Sequence, residues 1–272
     1  MLILQGCLTG IRNGTIIAII LSLLVTGCEK DPETLPPGAS LNIIAAIPDA
    51  GRLYGSFAGT DQLDSYRSSS QLNYNSYNGT GLNTNLFNRP PGDQRLAFYR
   101  LGDTAHPEKP FIALTLPLQA NGIYSLFLAG TNNDPDTLFI EDHIPYYSLQ
   151  DSVTGIRFMN LSPGSNPITI NIAGMPPGSE VEELPYKSYT TFKAYPATAN
   201  INDYTFEFRD KASGTLLATY KTSKMNKYVS TARITEVNTW LFRSSTFVFL
   251  GLPNGVGPQA QTVNIINHFT TR

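Results

Sequence analysis

Two kinds of hydrophobic pattern divide the chain. Residues 15–25 form one short apolar run, which is shorter than the roughly 20 residues that a membrane-spanning helix needs. Beyond residue 40, apolar residues come in short runs rich in Ile, Val, Phe, Tyr and Thr, separated by Gly, Pro, Asn and Asp. No long segment there has helical spacing, and residues 168–172 and 206–208 alternate as half-buried strands do. The pattern predicts an all-β chain.

The β-rich part of the chain repeats itself. The segment LNIIAAIPDAGRLYGSFAG, residues 41–59, aligns without a gap on IRFMNLSPGSNPITINIAG, residues 156–174. Shorter matches follow: LNYNSY on LPYKSY, YSLFLAG on TFVFLGL, and DTLFIEDH on QTVNIINH. With about seven candidate strands in each copy, the repeat predicts two tandem immunoglobulin-like antiparallel β-sandwiches. The alternative is a single fused sheet structure.

The repeat and the first apolar run together set the predicted domain boundaries. We expect a signal peptide over 1–27, a tether over 28–39, one sandwich over 40–150 and a second over 151–272. The tether is predicted because DPETLPPGAS, residues 31–40, clusters prolines and a glycine, which continue neither a helix nor a sheet ladder.

Cys28 directly follows the first apolar run, in LLVTGC. Arg12 is the only charged residue before it, and a short apolar run after a positive charge is typical of a secretory signal. The residues Leu-Val-Thr-Gly before Cys28 resemble the lipobox of bacterial lipoproteins. The resemblance implies that Cys28 is acylated and anchors the mature chain in the outer membrane. The alternative is an ordinary signal peptide with an incidental cysteine.

The residues after Cys28 bear on which face of the membrane the chain occupies. Glu29, Lys30 and Asp31 resemble the short Lys-plus-acid signals that send some lipoproteins to the cell surface, although Pro32 interrupts the pattern. We therefore predict an outer-membrane, lipid-anchored protein; these residues favour exposure at the cell surface, and the periplasmic side of the membrane is the alternative.

Cysteine content and charge exclude further classes of function. Removal of residues 1–27 takes away Cys7 and leaves Cys28 as the only cysteine, so that a hydrophobic core has to stabilise the mature chain. The mature chain carries 18 Lys and Arg against 21 Asp and Glu, a formal charge of −3. This balance argues against nucleic-acid binding, which needs a basic face to neutralise phosphates.

One family shares the order of these segments. Each copy starts with a strand that ends in a proline turn, IIAAIPDAG and RFMNLSPGS, then has a strand that ends in Ala-Gly, and the first copy later has GIYSLFLAG. This pattern resembles the domain of unknown function 4397 family, found in exported bacterial proteins, although the turns at 47–50 and 162–165 keep only part of the family's longer turn. The resemblance implies an extracytoplasmic β-sandwich with no established chemistry.

The sequence carries no recognised catalytic motif. It has no Gly-x-Ser-x-Gly, no His-Glu-x-x-His and no phosphate-binding Gly-rich loop. The repeat aligns His143 with His268, which predicts two partly exposed strand ends, and His106 is predicted to be solvated in a loop. We predict a non-enzymatic protein without a cofactor. An enzyme that uses only Asp and Glu is the alternative, since such a site leaves no sequence motif.

Candidate ligand-binding residues lie where the two copies differ, because loops carry function on a fixed sandwich scaffold. The first such loop, 59–71, contains Tyr66 and Arg67, which have no counterpart in the second copy. The second loop, TNNDPDT, lacks the glycine and distal glutamate of a calcium-binding loop, and Asn and Asp are common turn residues, so we predict no metal. Its candidate residues are Asn132, Asn133, Asp134 and Asp136.

Aromatic residues that recur in both copies are assigned to the scaffold instead. Tyr74 and Tyr77 recur as Tyr186 and Tyr189, and tyrosine suits half-buried strands. Trp240 has the apolar neighbours Leu241 and Phe242, which predicts packing in a core or between domains.

The leading functional hypothesis is a lipid-anchored envelope protein that acts as a binding, adhesion or spacer module, with a glycan or an outer-membrane protein as its partner. The alternative is an accessory component of an outer-membrane nutrient-uptake system that binds glycan or peptide.

Overall fold

The computed structural model describes residues 37–57, 70–75, 85–100, 103, 108–148, 150–198, 200–226 and 238–268. Cys28, Tyr66, Arg67, Tyr77 and His106 lie outside these residues. The described part consists of strands, turns and one 3-10 turn, Gly257–Gln259, which confirms the all-β prediction. It contains no helix that is long and apolar enough to span a membrane.

The described part of the chain contains eight strands in its first half and nine in its second, against about seven predicted for each copy. In chain order they are β1 (Ala39–Ala45), β2 (Arg52–Ser56), β3 (Ser70–Asn73), β4 (Leu86–Arg89), β5 (Gly92–Arg100), β6 (Ile112–Leu118), β7 (Ile123–Gly130), β8 (Pro135–Glu141), β9 (Val153–Asn160), β10 (Ile168–Ile172), β11 (Val181–Leu184), β12 (Ser188–Tyr189), β13 (Lys193–Pro196), β14 (Thr205–Asp210), β15 (Leu216–Lys221), β16 (Ser244–Leu250) and β17 (Thr262–His268).

The strands form four sheets whose order repeats. Sheet I has the order β4-β1-β7-β8 and sheet II the order β3-β2-β5-β6. Sheet III, β12-β9-β16-β17 with β13 also on β9, and sheet IV, β11-β10-β14-β15, reproduce these orders in the second half. Each half contains one parallel pair that includes its first strand: β1 pairs with β7, and β9 pairs with β16. The immunoglobulin-like class and the boundary at residue 150 stay predictions.

The strand registers define which residues of the two copies are equivalent. Ile43 pairs with Leu126 in sheet I, and Phe158 pairs with Phe247 in sheet III. Because Ile43 aligns with Phe158 in the sequence repeat, Leu126 is equivalent to Phe247. The sequence alignment of YSLFLAG on TFVFLGL is therefore wrong by one residue.

The same reasoning changes the counterpart of His268. Leu126 pairs with Phe139 and Phe247 pairs with Ile265, so that Phe139 and Ile265 are equivalent. Counting three residues onward, His268 corresponds to Asp142 and not to His143. The predicted histidine pair is thus wrong by one residue. The sequence match in this segment is short, so the match alone does not fix its register.

Each half encloses its own hydrophobic core. Sheets I and II share one cluster, built on buried residues such as Leu41, Leu53 and Phe98, and they form sandwich 1. Sheets III and IV share a second cluster around Phe158, and they form sandwich 2. Trp240 belongs to this second cluster and is only 7% exposed, which confirms the prediction of core packing.

A third cluster, the interface core, joins the sandwiches through the outer faces of sheets I and III. All ten of its buried residues fall into repeat-equivalent pairs, so the same positions of both copies meet each other. A contact of this kind is isologous, as in a two-fold symmetric dimer. The pairs are Ile44 with Met159, Ala46 with Leu161, Phe127 with Val248, Ala129 with Leu250, and Ile140 with Ile266.

The two sandwiches point the same way. We call the end of sheet I where β1 starts the near end and the opposite end, after Ala45, the far end. At the far end, Lys187 of sandwich 2 bonds to Asp136, at the start of β8. Toward the near end, Asp142, just after β8, meets Arg157 in β9. Like ends are therefore together, and the chain enters β1 and leaves β17 at the near end.

Candidate functional site

A polar network at the far end of sandwich 1 joins three turns. We call it the far-end network, and its members are Asp49, Arg100, Asp103 and Asn132. Arg100 Nε lies 2.6 Å from Asp103 Oδ2, and Arg100 Nη1 donates to Asn132 Oδ1 at 3.0 Å. The N–H of Asn132 donates to Asp49 Oδ1 at 2.8 Å. The side chains of Arg100 and Asp103 are 40% and 35% exposed, so solvent and ligands can reach them.

The network contains both charges and planar hydrogen-bonding groups. The guanidinium carbon of Arg100 lies 4.8 Å from the centroid of the Phe111 ring, a cation–π contact that orients the charge. Asn133 and Asp134 are exposed in the adjoining turn. Solvent-facing amide, carboxylate and guanidinium groups can form hydrogen bonds with the hydroxyls and amides of a polar ligand.

The turn after β7 is stabilised by its own backbone. Gly130 has φ of +83°, and the N–H of Asp134 donates to the Thr131 carbonyl at 3.2 Å and to Thr131 Oγ1 at 3.1 Å. The described residues contain no group of three or more His, Cys, Asp or Glu side chains arranged to hold a metal ion. Bonds between Thr131 and Asp134 therefore close this turn.

Asp136, a fourth predicted residue of this loop, binds across to the other sandwich instead. Its Oδ2 lies 2.7 Å from Lys187 Nζ, and its Oδ1 accepts from the N–H of Thr137 at 2.7 Å. Partial burial would raise the pKa of this carboxyl, but the bonds from Lys187 and Thr137 lower it on balance. Asp136 thus belongs to the contact between the sandwiches.

The described residues that flank the other predicted loop lie at the opposite end of sandwich 1. Phe57, just after β2, has its ring centroid 5.0 Å from that of Phe87 and under the guanidinium of Arg89, 4.1 Å away. Arg89 pairs with Ala39, the first residue of β1, at the near end. The described flank of loop 59–71 is therefore not brought together with Asn132.

Of the two histidines that the structure describes, one has surroundings different from those predicted. His143 is exposed, as a strand end would be. His268, in contrast, is 7% exposed, and the prediction of a partly exposed strand end is wrong for it. The ring is buried because it faces the interface between the sandwiches, where Phe192 meets it edge-on at a centroid distance of 5.6 Å.

His268 belongs to a buried set of residues that we call the interface polar cluster: Ser125, Asp142, Arg157, Thr246 and His268. Arg157 Nη2 lies 2.7 Å from Asp142 Oδ1, with side chains 3% and 1% exposed. Ser125 Oγ donates to Asp142 Oδ2 at 2.6 Å, and Arg157 Nε donates to Thr246 Oγ1 at 2.9 Å. Thr246 Oγ1 also lies 2.8 Å from His268 Nε2. Burial lowers the pKa of His268 to about 4.

Sequence reasoning missed most of these residues. Among the four residues of the far-end network it proposed only Asn132, since the bonds to Arg100 and Asp49 span 32 and 83 positions of the chain. A signal was nevertheless present in the repeat. By register, Arg100 corresponds to Asp210 and Asp142 corresponds to His268. The two copies therefore carry different ionisable side chains at equivalent positions.

No family model matches the chain, and no curated protein matches it. Among solved structures, it is similar to a "putative adhesin" from Bacteroides ovatus with 13% identity over 90% of this chain and 98% of that one, at a TM-score of 0.24. A "putative cell adhesion protein" from the same species has 9% identity over 87% and 99%, at 0.22. "Putative polysaccharide binding proteins" from Bacteroides thetaiotaomicron have 11% identity over 86% and 98%, at 0.22. TM-scores this low carry no weight for function.

Proposed function

We propose that this chain is a lipid-anchored outer-membrane protein, exposed at the cell surface, that acts as a non-enzymatic binding or adhesion module. The observation that carries the proposal is Cys28 at the end of LLVTGC, which supplies an attachment point for lipid at the start of a proline-rich tether. Acylation on two groups gives stable anchoring, whereas a single chain binds only reversibly.

The direction of the strands supports a role in display. The tether leads into β1 at the near end, and the turns after β1 and β7 lie at the far end. In a protein anchored through Cys28, the far-end network would then lie at the end of sandwich 1 opposite the entry of the chain into β1. The interface core joins the two sandwiches through a shared apolar cluster.

The anchor is tested by cell fractionation. Cys28→Ala is expected to move the protein from the membrane fraction to the soluble fraction. Cys7→Ala is the matched control, since it changes the other cysteine, in the segment predicted to be removed, and it should leave the protein in the membrane fraction. Release of the intact wild-type protein without detergent would contradict the proposal.

The ligand surface is tested by binding to an array of glycans and to whole cells. Arg100→Ala is expected to reduce binding at least about tenfold, because a charged hydrogen-bonding group at a site contributes about 1.5 to 3 kcal/mol. Asp210→Asn, at the equivalent position of sandwich 2, is the matched control and should bind as the wild type does. If Arg100→Ala binds as well as Asp210→Asn and the wild type do, the far-end network is excluded as the site.

A further inference from the structure

We infer that the interface polar cluster makes the contact between the sandwiches specific, so that the outer face of sandwich 1 fits the outer face of a sandwich 2 and not a second copy of itself. The partner of each face is thus defined by charge. In the intact chain that partner is the other half, and between two chains it is the complementary half of the second copy.

The apolar part of the interface carries no charge and so provides no selection by charge. Its ten buried residues come from equivalent positions of the two copies. The positions are equivalent, but four of the five pairs hold different residues, such as Ala46 and Leu161 or Ala129 and Leu250, so the interface core opposes pairing of like sandwiches only through side-chain volume. Selection by charge requires polar residues that differ between the copies.

The interface polar cluster supplies the differences. Asp142 of sandwich 1 stands where sandwich 2 has His268, and Asn42 stands where sandwich 2 has Arg157. The carboxylate is therefore on one sandwich and the guanidinium on the other. Only pairing of unlike sandwiches brings them to the observed distance of 2.7 Å.

Pairing of like sandwiches would leave buried charges without a counterion. Two copies of sandwich 1 would bury two Asp142 carboxylates, and the interface polar cluster supplies no arginine from that sandwich. Two copies of sandwich 2 would bury two Arg157 guanidinium groups, each beside His268, and the cluster supplies no carboxylate from that sandwich. An uncompensated buried charge is strongly destabilising, and polar groups that penalise the wrong pairing are a known source of specificity.

The inference is tested first by reversing the charges in one chain. Asp142→Arg and Arg157→Asp each place two like charges in the interface, and each is expected to reduce the yield of folded monomer at least about tenfold. The chain that carries both substitutions restores opposite charges and should recover most of that yield, measured by size-exclusion chromatography with light scattering. A double variant with no higher yield than the single variants would overturn the inference.

A second experiment keeps the inference falsifiable if the single variants do not fold alone. An equimolar mixture of the Asp142→Arg chain and the Arg157→Asp chain is unfolded and refolded together. In a reciprocal 1:1 dimer both interfaces contain one positive and one negative charge, so we expect a heterodimer in native mass spectrometry that neither chain forms alone. Recovery of homodimers only, or of no dimer, would overturn the inference.

The matched control is a second ion pair between the sandwiches. Asp136 and Lys187 also join the two halves at 2.7 Å, but their side chains are 45% and 31% exposed. Exposed pairs contribute little, so Asp136→Lys and Lys187→Asp should each remain monomeric and should form no heterodimer when mixed. Heterodimer formation by this control pair would show that charge reversal anywhere in the contact causes exchange, and would overturn the assignment to the buried cluster.

Discussion

At the scale of single residues, two glycines fix equivalent turns of the two copies. Gly130 ends β7 with φ of +83°, and Gly251 follows β16 with φ of +100°. A Cβ at Gly251 would lie 2.3 Å from the Ala260 carbonyl oxygen, and one at Gly130 the same distance from that of Asp134. Both positions therefore need glycine for its backbone conformation and for the absence of a side chain.

Gly251→Ala is expected to lower the free energy of unfolding by about 2 to 4 kcal/mol, since it combines a strained φ with a clash against backbone. Gly164→Ala is the matched control, because Gly164 also has a positive φ, +74°, but no described atom beyond its chain neighbours lies within 4 Å of its Cβ position. That substitution should cost about 1 kcal/mol. Urea denaturation measures both, and an equal cost would show that the close contact at Gly251 relaxes.

His268 makes the stability of the protein depend on pH. Its pKa is 6.5 in the unfolded chain and about 4 in the folded protein, chiefly because burial disfavours the charged ring. Between these values the unfolded state binds a proton that the folded state does not. The contribution is therefore fully present above pH 6.5 and is lost as the pH falls toward 4, by about 3 kcal/mol at 1.36 kcal/mol per pKa unit.

His268→Gln is expected to flatten this dependence, because glutamine has no proton to bind. Thermal unfolding from pH 7 to 4 measures the difference between the two proteins. Carboxyl groups outside the interface polar cluster affect both proteins alike, so the comparison reports on His268 together with its interactions with Asp142 and Arg157. Identical pH profiles would contradict the buried, neutral state of His268.

At the scale of elements, the strands in the middle of the molecule are buried on both faces. In β7 every residue after Ile123 is buried, and all residues of β16 are buried. Leu126 faces the core of sandwich 1, whereas its neighbour Phe127 faces the interface core. Neighbouring residues of a strand usually differ in burial, but both of these are buried. Leu126→Ala and Phe127→Ala should therefore each lower the free energy of unfolding by about 2 to 5 kcal/mol. Thr115→Ala, in the exposed edge strand β6, should change stability by less than about 0.5 kcal/mol, and chemical denaturation compares the three.

The strands could be predicted from sequence because their period and composition are local signals. The burial of Phe206 and Phe208 with Glu207 between them follows from alternation. A continuous apolar run such as TFVFL is typical of a strand buried on both faces, but it does not show which element covers the second face of β7 or β16. The far-end network was also out of reach, because Arg100 and Asn132 meet only after the sheets have formed.

At the scale of the whole molecule, the interface core makes the two sandwiches depend on each other. The repeat predicted two copies, but the sequence alone did not predict that their sheets I and III would share a core. Residues of that core, such as Ile44 and Met159, read as ordinary strand positions until the register places them on the outer face. Coupling of the two halves is therefore a property of the assembled fold.

This coupling predicts a single unfolding transition for residues 37–268. Trp240 is the only tryptophan and lies in the core of sandwich 2, so its fluorescence reports directly on that sandwich. Leu53 is fully buried in the core of sandwich 1, and Leu53→Ala should cost about 2 to 5 kcal/mol. If the sandwiches unfold together, this distant substitution lowers the urea midpoint seen by Trp240, by about 1 M for a protein of this size. Amide hydrogen exchange measures the stability of sandwich 1 in the same variant. If it shows sandwich 1 destabilised while the Trp240 midpoint is unchanged, the interface core is too weak to couple the two sandwiches.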